Sequence, residues 1–109
     1  MTSDDKFEKI EEQLLKTLAE AAQLLQECGE DRWARWLDSD RQRILVGDRD
    51  GLEHLLSAFG GMGSINDLLI HPANGHPVTE ELAPEINDRL RAMLSLCSEL
   101  AGEMRDALE

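Results

Sequence analysis

The chain has 109 residues, with 23 Asp and Glu against 11 Lys and Arg, a formal net charge of -12 and a pI near 4.5. That length makes one domain, 1–109, able to bury about two-thirds of its unfolded surface without metal or disulfide support; 41% apolar residues argue against disorder, and 4% aromatics with no Tyr argue against a sheet. The charge repels nucleic-acid backbones and anionic lipid, no apolar run approaches the ~20 residues of a membrane span, and Met1-Thr2-Ser3-Asp4-Asp5 has no signal-peptide pattern, so a cytoplasmic protein without nucleic-acid or membrane partners is expected.

The first predicted element runs from about Asp5 to Cys28. Phe7, Ile10, Leu14, Leu18, Ala21, Leu25 and Cys28 recur three and four apart, and Leu15, Ala22 and Leu24 widen that stripe. Gly29 supplies the helix stop. A second helix is expected over Asp31–Val46, with Trp33, Trp36, Leu37, Ile44 and Leu45 apolar and Asp40 interrupting the pattern. Gly47-Asp48 ends it, and Asp48 or Asp50 caps a third helix that carries Leu52, Leu55, Leu56 and Phe59 and stops at Gly60-Gly61.

Residues 60–78 read differently. Gly60, Gly61 and Gly63 crowd together, Ser64 and Asp67 have capping-box spacing for a short helix, and His71-Pro72-Ala73-Asn74-Gly75-His76-Pro77 is turn material. The last helix takes Pro84 in its first turn and keeps Ile86, Leu90, Met93, Cys97, Leu100 and Met104 on one stripe. The expected fold is therefore an all-α four-helix bundle with two long terminal helices, two shorter central ones and a Gly-rich loop. The net charge divides unevenly over it: -6 for residues 1–31, zero for 32–59, -1 for 60–79 and -5 for 80–109.

Chemistry-bearing patterns are few. The Gly60–Ser64 loop lacks the Lys of a phosphate loop and matches no dinucleotide fingerprint. His71 and His76 have no common metal spacing, so neither a metal nor a cofactor is expected. Ser64 has no nucleophile-elbow setting, and no catalytic residue is assigned. His54 is placed to pair with Asp50 one helical turn earlier. Cys28 and Cys97 form no CxxC and read as buried free thiols. Of the two tryptophans, at least one packs in the core and Trp36 is a candidate partner contact.

Trp33-Ala34-Arg35-Trp36-Leu37, the stretch Gly47–Glu53, and above all Gly60-Gly61-Met62-Gly63-Ser64-Ile65-Asn66-Asp67-Leu68, extended by His71-Pro72 and Asn74-Gly75-His76, resemble a family of small uncharacterised bacterial proteins. The resemblance covers roughly residues 30–76 and implies no activity. In size and acidity such chains are also similar to immunity proteins encoded beside bacterial toxins.

Two functions follow as expectations. In the first, an acidic immunity or antitoxin-type protein, monomeric or homodimeric, binds a cognate toxin with a basic surface. Its contacts are Glu8, Glu11, Glu12, Glu20, Glu27, Trp36, Glu99, Glu103 and Asp106. In the second, a small-ligand or regulatory module uses Gly60, Gly61, Met62, Gly63, Ser64, Asn66, Asp67, His71 and His76.

Overall fold

The apolar stripe of the first helix sets the architecture. Leu14, Leu18, Ala21 and Leu25 lose all exposure to solvent, and Ala22, Leu24 and Cys28 are buried beside them. A stripe that wide faces two neighbours rather than one. The computed structural model describes residues 3–60 and 63–109. It has α1 (Ser3–Glu27), α2 (Asp31–Leu45), α3 (Arg49–Leu56) and α4 (Ala83–Leu108), with 3₁₀ turns at Ile65–Asp67 and Pro72–Asn74. The described residues contain no strand, and the helices pack as an all-α bundle measuring 48 × 24 × 22 Å. α1 packs against both α2 and α4, and α3 closes the end between α2 and α4.

α1 ends as a Schellman turn. Gly29 adopts φ +80°, its N–H reaches the Gln26 carbonyl, and the Glu30 N–H reaches the Leu25 carbonyl. That turn fixes the direction of Glu30. Asp48 caps α3 by accepting the Asp50 N–H at 3.0 Å. The Arg43 guanidinium, also bonded to Asp48, and that N–H hold the Asp48 carboxyl below its usual range.

Two elements depart from the sequence expectation. α3 stops at Leu56 rather than at Gly60-Gly61, because Ser57 Oγ donates to the His54 carbonyl at 2.6 Å and the chain tightens into i→i+3 bonds at Ala58 and Phe59. The buried stripe of α4 is Ala83, Asn87, Leu90, Leu94, Cys97, Ala101 and Met104, with Leu100 also buried; Ile86 and Met93 are only half-buried at its flank. Cys28 and Cys97 are both free and buried, and burial pushes the Cys97 thiol up to about 12.

One glycine is required by close approach. A Cβ on Gly51 would lie 2.6 Å from Cβ of Arg43 and 3.3 Å from the Asp40 carbonyl oxygen, so α3 meets α2 through bare backbone. Gly51→Ala is expected to destabilise the protein by about 1–3 kcal/mol, the usual cost of overpacking. Urea denaturation of the variant, with helicity of the native state checked by circular dichroism, measures this; an unchanged midpoint would show that α3 can move outward at no cost.

Candidate functional site

Three hydrogen-bond systems lock the loop between α3 and α4. Asn87, buried on α4, accepts the Ile70 N–H at 2.9 Å and donates its amide to the carbonyls of Ile70 and Ala83, both at 2.8 Å. Ile70 is thereby held in the core with its backbone satisfied. His76, also buried, accepts the His71 N–H on Nδ1 at 3.0 Å and donates Nε2–H to Glu30 Oε1 at 2.6 Å. A neutral ring protonated on Nε2 satisfies both bonds. Asp67 Oδ2 accepts the Gly63 N–H at 2.8 Å, and His71 Nδ1 accepts the Ala73 N–H at 3.0 Å.

The loop candidates therefore divide. Asp67, His71 and His76 use their side-chain polar atoms to hold the loop's own shape. Gly60 and Gly63 adopt positive φ, while Gly61 and Met62 lie outside the described residues. Ser64 does not cap the 3₁₀ turn: its Oγ is buried without a hydrogen-bond partner among the described residues. Asn66 is exposed and borders a pocket of about 310 Å³ against α4, together with Arg91 and Ser95. Glu30 and Asp31, adjacent in sequence, are placed differently, with Glu30 half-buried against His76 and Asp31 exposed.

The acidic candidates lie on outward faces. Glu8, Glu12, Glu20 and Glu27 on α1 and Glu99, Glu103 and Asp106 on α4 are exposed, and Glu11 is half-buried. Asp106 lies 3.8 Å from Arg105; among the described residues the other seven form no ion pair. The central arginines behave differently. Arg41 pairs with Asp38 at 2.9 Å, and Arg43 with Asp48 at 3.1 Å. α1 and α2 also leave an open groove of about 910 Å³, with Ala19, Ala22 and Ala34 on its floor and Glu27, Asp31 and Asp38 along it.

A further polar cluster is absent from the sequence expectation. Asp40 is 0% exposed, and His54 Nδ1 lies 2.8 Å from both of its carboxylate oxygens. His54 thus pairs across helices with Asp40, not with Asp50 on its own helix. Burial pushes the Asp40 carboxyl above its ordinary range, opposed by the His54 hydrogen bond and by Arg43 Nη1 at 3.8 Å. The half-buried Trp36 ring stacks on the imidazole, with centroids 4.2 Å apart and planes 19° apart, and its indole N–H is buried without a partner among the described residues. Trp33, tilted at 5.3 Å from Trp36, is the buried member of the pair. The other side of His54 faces solvent, so the arrangement presents an imidazole oriented from behind by a carboxylate. Among the described residues no group of three or more His, Cys, Asp or Glu side chains is placed to hold a metal ion.

These features define an all-α bundle whose long loop is pinned to it by side chains, with unpaired acid on its two longest helices. Residues 26–79 match the model of the family described as Domain of unknown function (DUF6966). The matched span contains the Glu30–His76 bond, the Asp40–His54 pair and the whole glycine loop; it leaves out α4 and most of α1. No curated protein and no solved structure matches the chain. No helix among the described residues is long and apolar enough to cross a membrane.

Two substitutions test these bonds. His76→Ala leaves Glu30 without its donor and is expected to cost about 1–3 kcal/mol; amide exchange over residues 71–79 should accelerate more than exchange in the middle of α1. Equal acceleration in both would mean that His76 acts only through global stability. The Asp40 carboxyl is raised in the folded state, so folding takes up a proton between the unfolded and folded pKa values. That contribution is fully present below the unfolded value and lost as pH rises through the folded one. The stability of the native chain relative to Asp40→Asn should therefore improve as pH falls from neutral towards 4. A pH series of urea denaturations on both proteins checks the sign.

Proposed function

We propose that the protein is a cytoplasmic immunity or antitoxin-type binding protein of a bacterium. In this reading it neutralises a cognate toxin by laying its acidic surface over the toxin's basic active-site cleft. The observation that carries this reading is the acid left unpaired after folding: Glu8, Glu11, Glu12, Glu20 and Glu27 on α1, and Glu99 and Glu103 on α4. Paired surface charges contribute little to partner choice, whereas unpaired ones set the field that an approaching protein meets. The central segment is close to neutral, and Arg41 and Arg43 pair with its own aspartates, so it adds little net charge to that field. Asp106 extends the α4 face, and Trp36 supplies an aromatic surface of the type that anchors interfaces. No catalytic role is assigned to any side chain.

A second reading, a small-ligand or regulatory module on the glycine loop, draws support from the pocket beside Asn66, whose volume is near the lower end for ligand sites. It is the weaker of the two. The other loop side chains aimed at polar groups already bond within the loop or to its neighbours.

Purification of the tagged protein from its native cell at about 50 mM salt should retain a basic toxin in stoichiometric amount and release it as salt screens the contact. The double variant Glu99→Lys, Glu103→Lys should slow association by about tenfold or more while leaving helicity intact. Recovery of no toxin-like partner, or an association rate indifferent to salt and to charge reversal, would overturn the proposal. A melting-temperature rise with a nucleotide or metabolite, abolished by Asn66→Ala, would instead favour the second reading.

A further inference from the structure

Where the chain enters α4, the bundle opens into a second apolar concavity that no pattern in the sequence marks. Its volume is about 480 Å³, and Leu24 of α1, Cys28 of the turn after it, Val78 and Pro77 of the loop, and Leu82 and Ile86 at the start of α4 line it. Leu24 and Cys28 are buried and form the floor, whereas Leu82 is 51% exposed. A leucine half out of solvent at a helix entry has an identifiable cause. Thr79 Oγ1 accepts the Leu82 N–H at 3.2 Å, and the Ala83 N–H reaches the Thr79 carbonyl, so the turn before α4 holds Leu82 at the rim. Pro77 lies beside Gly29, where an added Cβ would stand 3.4 Å from Pro77 Cδ. The two walls are thus tied together by the same turn that bonds Glu30 to His76.

The lining carries one acid and one base, and the chain on either side of Leu82 adds further exposed acid. Glu27 lines it directly, and Arg89 is the one base among its lining residues. Glu80 and Glu81 immediately precede Leu82, Glu85 follows it by three, and all three are exposed. Buried apolar floor surrounded by a charged rim is the anatomy of an interface hot spot, in which water is excluded at the centre and sign is read at the edge. We infer that this concavity is the socket for an apolar side chain on a basic segment of a protein partner, one flanked by Lys or Arg. A second copy of the chain is disfavoured as occupant, because it would bring another -12 of charge to an acidic rim. Anionic lipid is disfavoured on the same ground. The inference rests on the reading of a basic partner above and adds where that partner inserts. Glu27 also lines the α1–α2 groove, so socket and groove share this carboxylate.

The test uses two synthetic five-residue peptides, acetyl-Lys-Arg-Leu-Arg-Lys-amide and its Leu-to-Gly analogue, titrated into the ¹⁵N-labelled full chain. The expected result is amide shift changes centred on Leu24, Val78, Leu82 and Ile86, with at least tenfold weaker binding of the Gly peptide. Leu82→Glu should weaken the Leu peptide at least tenfold and leave the far-ultraviolet spectrum unchanged, since the side chain it removes is already half in solvent. Equal affinity for both peptides, or shifts spread along α1 and α4 alike, would overturn the socket without recourse to any variant. The two readings fail separately. Socket-centred peptide binding with no toxin recovered from the cell removes the toxin and keeps the socket. A recovered toxin whose affinity Leu82→Glu leaves unchanged removes the socket and keeps the toxin.

Discussion

Every other contact in the molecule depends on α1 being buried from two sides at once. α2 and α4 make little or no contact with each other, and each is held by a different edge of the same stripe on α1. Leu14, Leu18 and Leu25 form its centre, Ala21 and Ala22 let a neighbouring backbone approach, and Leu24 and Cys28 finish it beside the loop. A narrower seam of two apolar positions per heptad would hold one partner and leave the other face wet. The width of the stripe is therefore the constraint from which a bundle, rather than a hairpin of helices, follows. α3 and the loop then close the open side between α2 and α4, burying Leu52, Leu55, Ala58, Ile65 and Ile70 in the core, and polar ties fix the course of the loop.

Those ties explain why a loop rich in glycine has a definite course. Its backbone would be costly to bury unless each N–H and C=O found a partner. Asn87 satisfies both polar groups of Ile70, and His76 joins the His71 N–H to a carboxylate on the opposite turn. Gly29 contributes to both ends of that arrangement, turning α1 so that Glu30 meets His76 while leaving room for Pro77. The histidines and the aspartate that look like site residues are thus accounted for by backbone satisfaction. Asn66 is the exception, since it faces solvent beside a pocket.

The helices were legible in the sequence because their signals are local. Spacings of three and four, Gly29 and Gly47 as stops and Asp48 as a cap all act within one or two turns, and they place α1, α2 and the start of α3 within a few residues. The candidate polar clusters were not, because their partners are distant: 14 residues separate Asp40 from His54, 17 separate Ile70 from Asn87, and 46 separate Glu30 from His76. Reading His54 by helical periodicity leads to Asp50, the acid one turn away, whereas the close approach at Gly51 brings α3 onto Asp40. A signal did exist. Asp40 stands where the α2 pattern calls for an apolar residue, and Asn87 shares a stripe with Leu90, Leu94 and Cys97. A polar residue at a core position implies a partner, but the sequence alone does not say which.

The same distinction between local and distant pairing bears on the charge. An excess of twelve negative charges opposes compaction through self-repulsion, and a chain can limit that cost by pairing its acids internally or by spreading them over water-facing surface. The middle of this chain takes the first course: Asp38, Asp40 and Asp48 each find an arginine or a histidine. The long helices take the second, leaving most of their carboxylates facing water. The matched span 26–79 contains the Asp38, Asp40 and Asp48 pairs, whereas beyond it the ion pairs among the described residues are the two exposed ones on α4, Asp88 with Arg91 and Asp106 with Arg105. Acids committed to internal pairs are fixed by the fold. Apart from Asp88 and Asp106, the carboxylates of α1 and α4 form no ion pair among the described residues, so their sign and position can vary without disturbing the core, and that freedom is what adaptation to a particular basic partner requires.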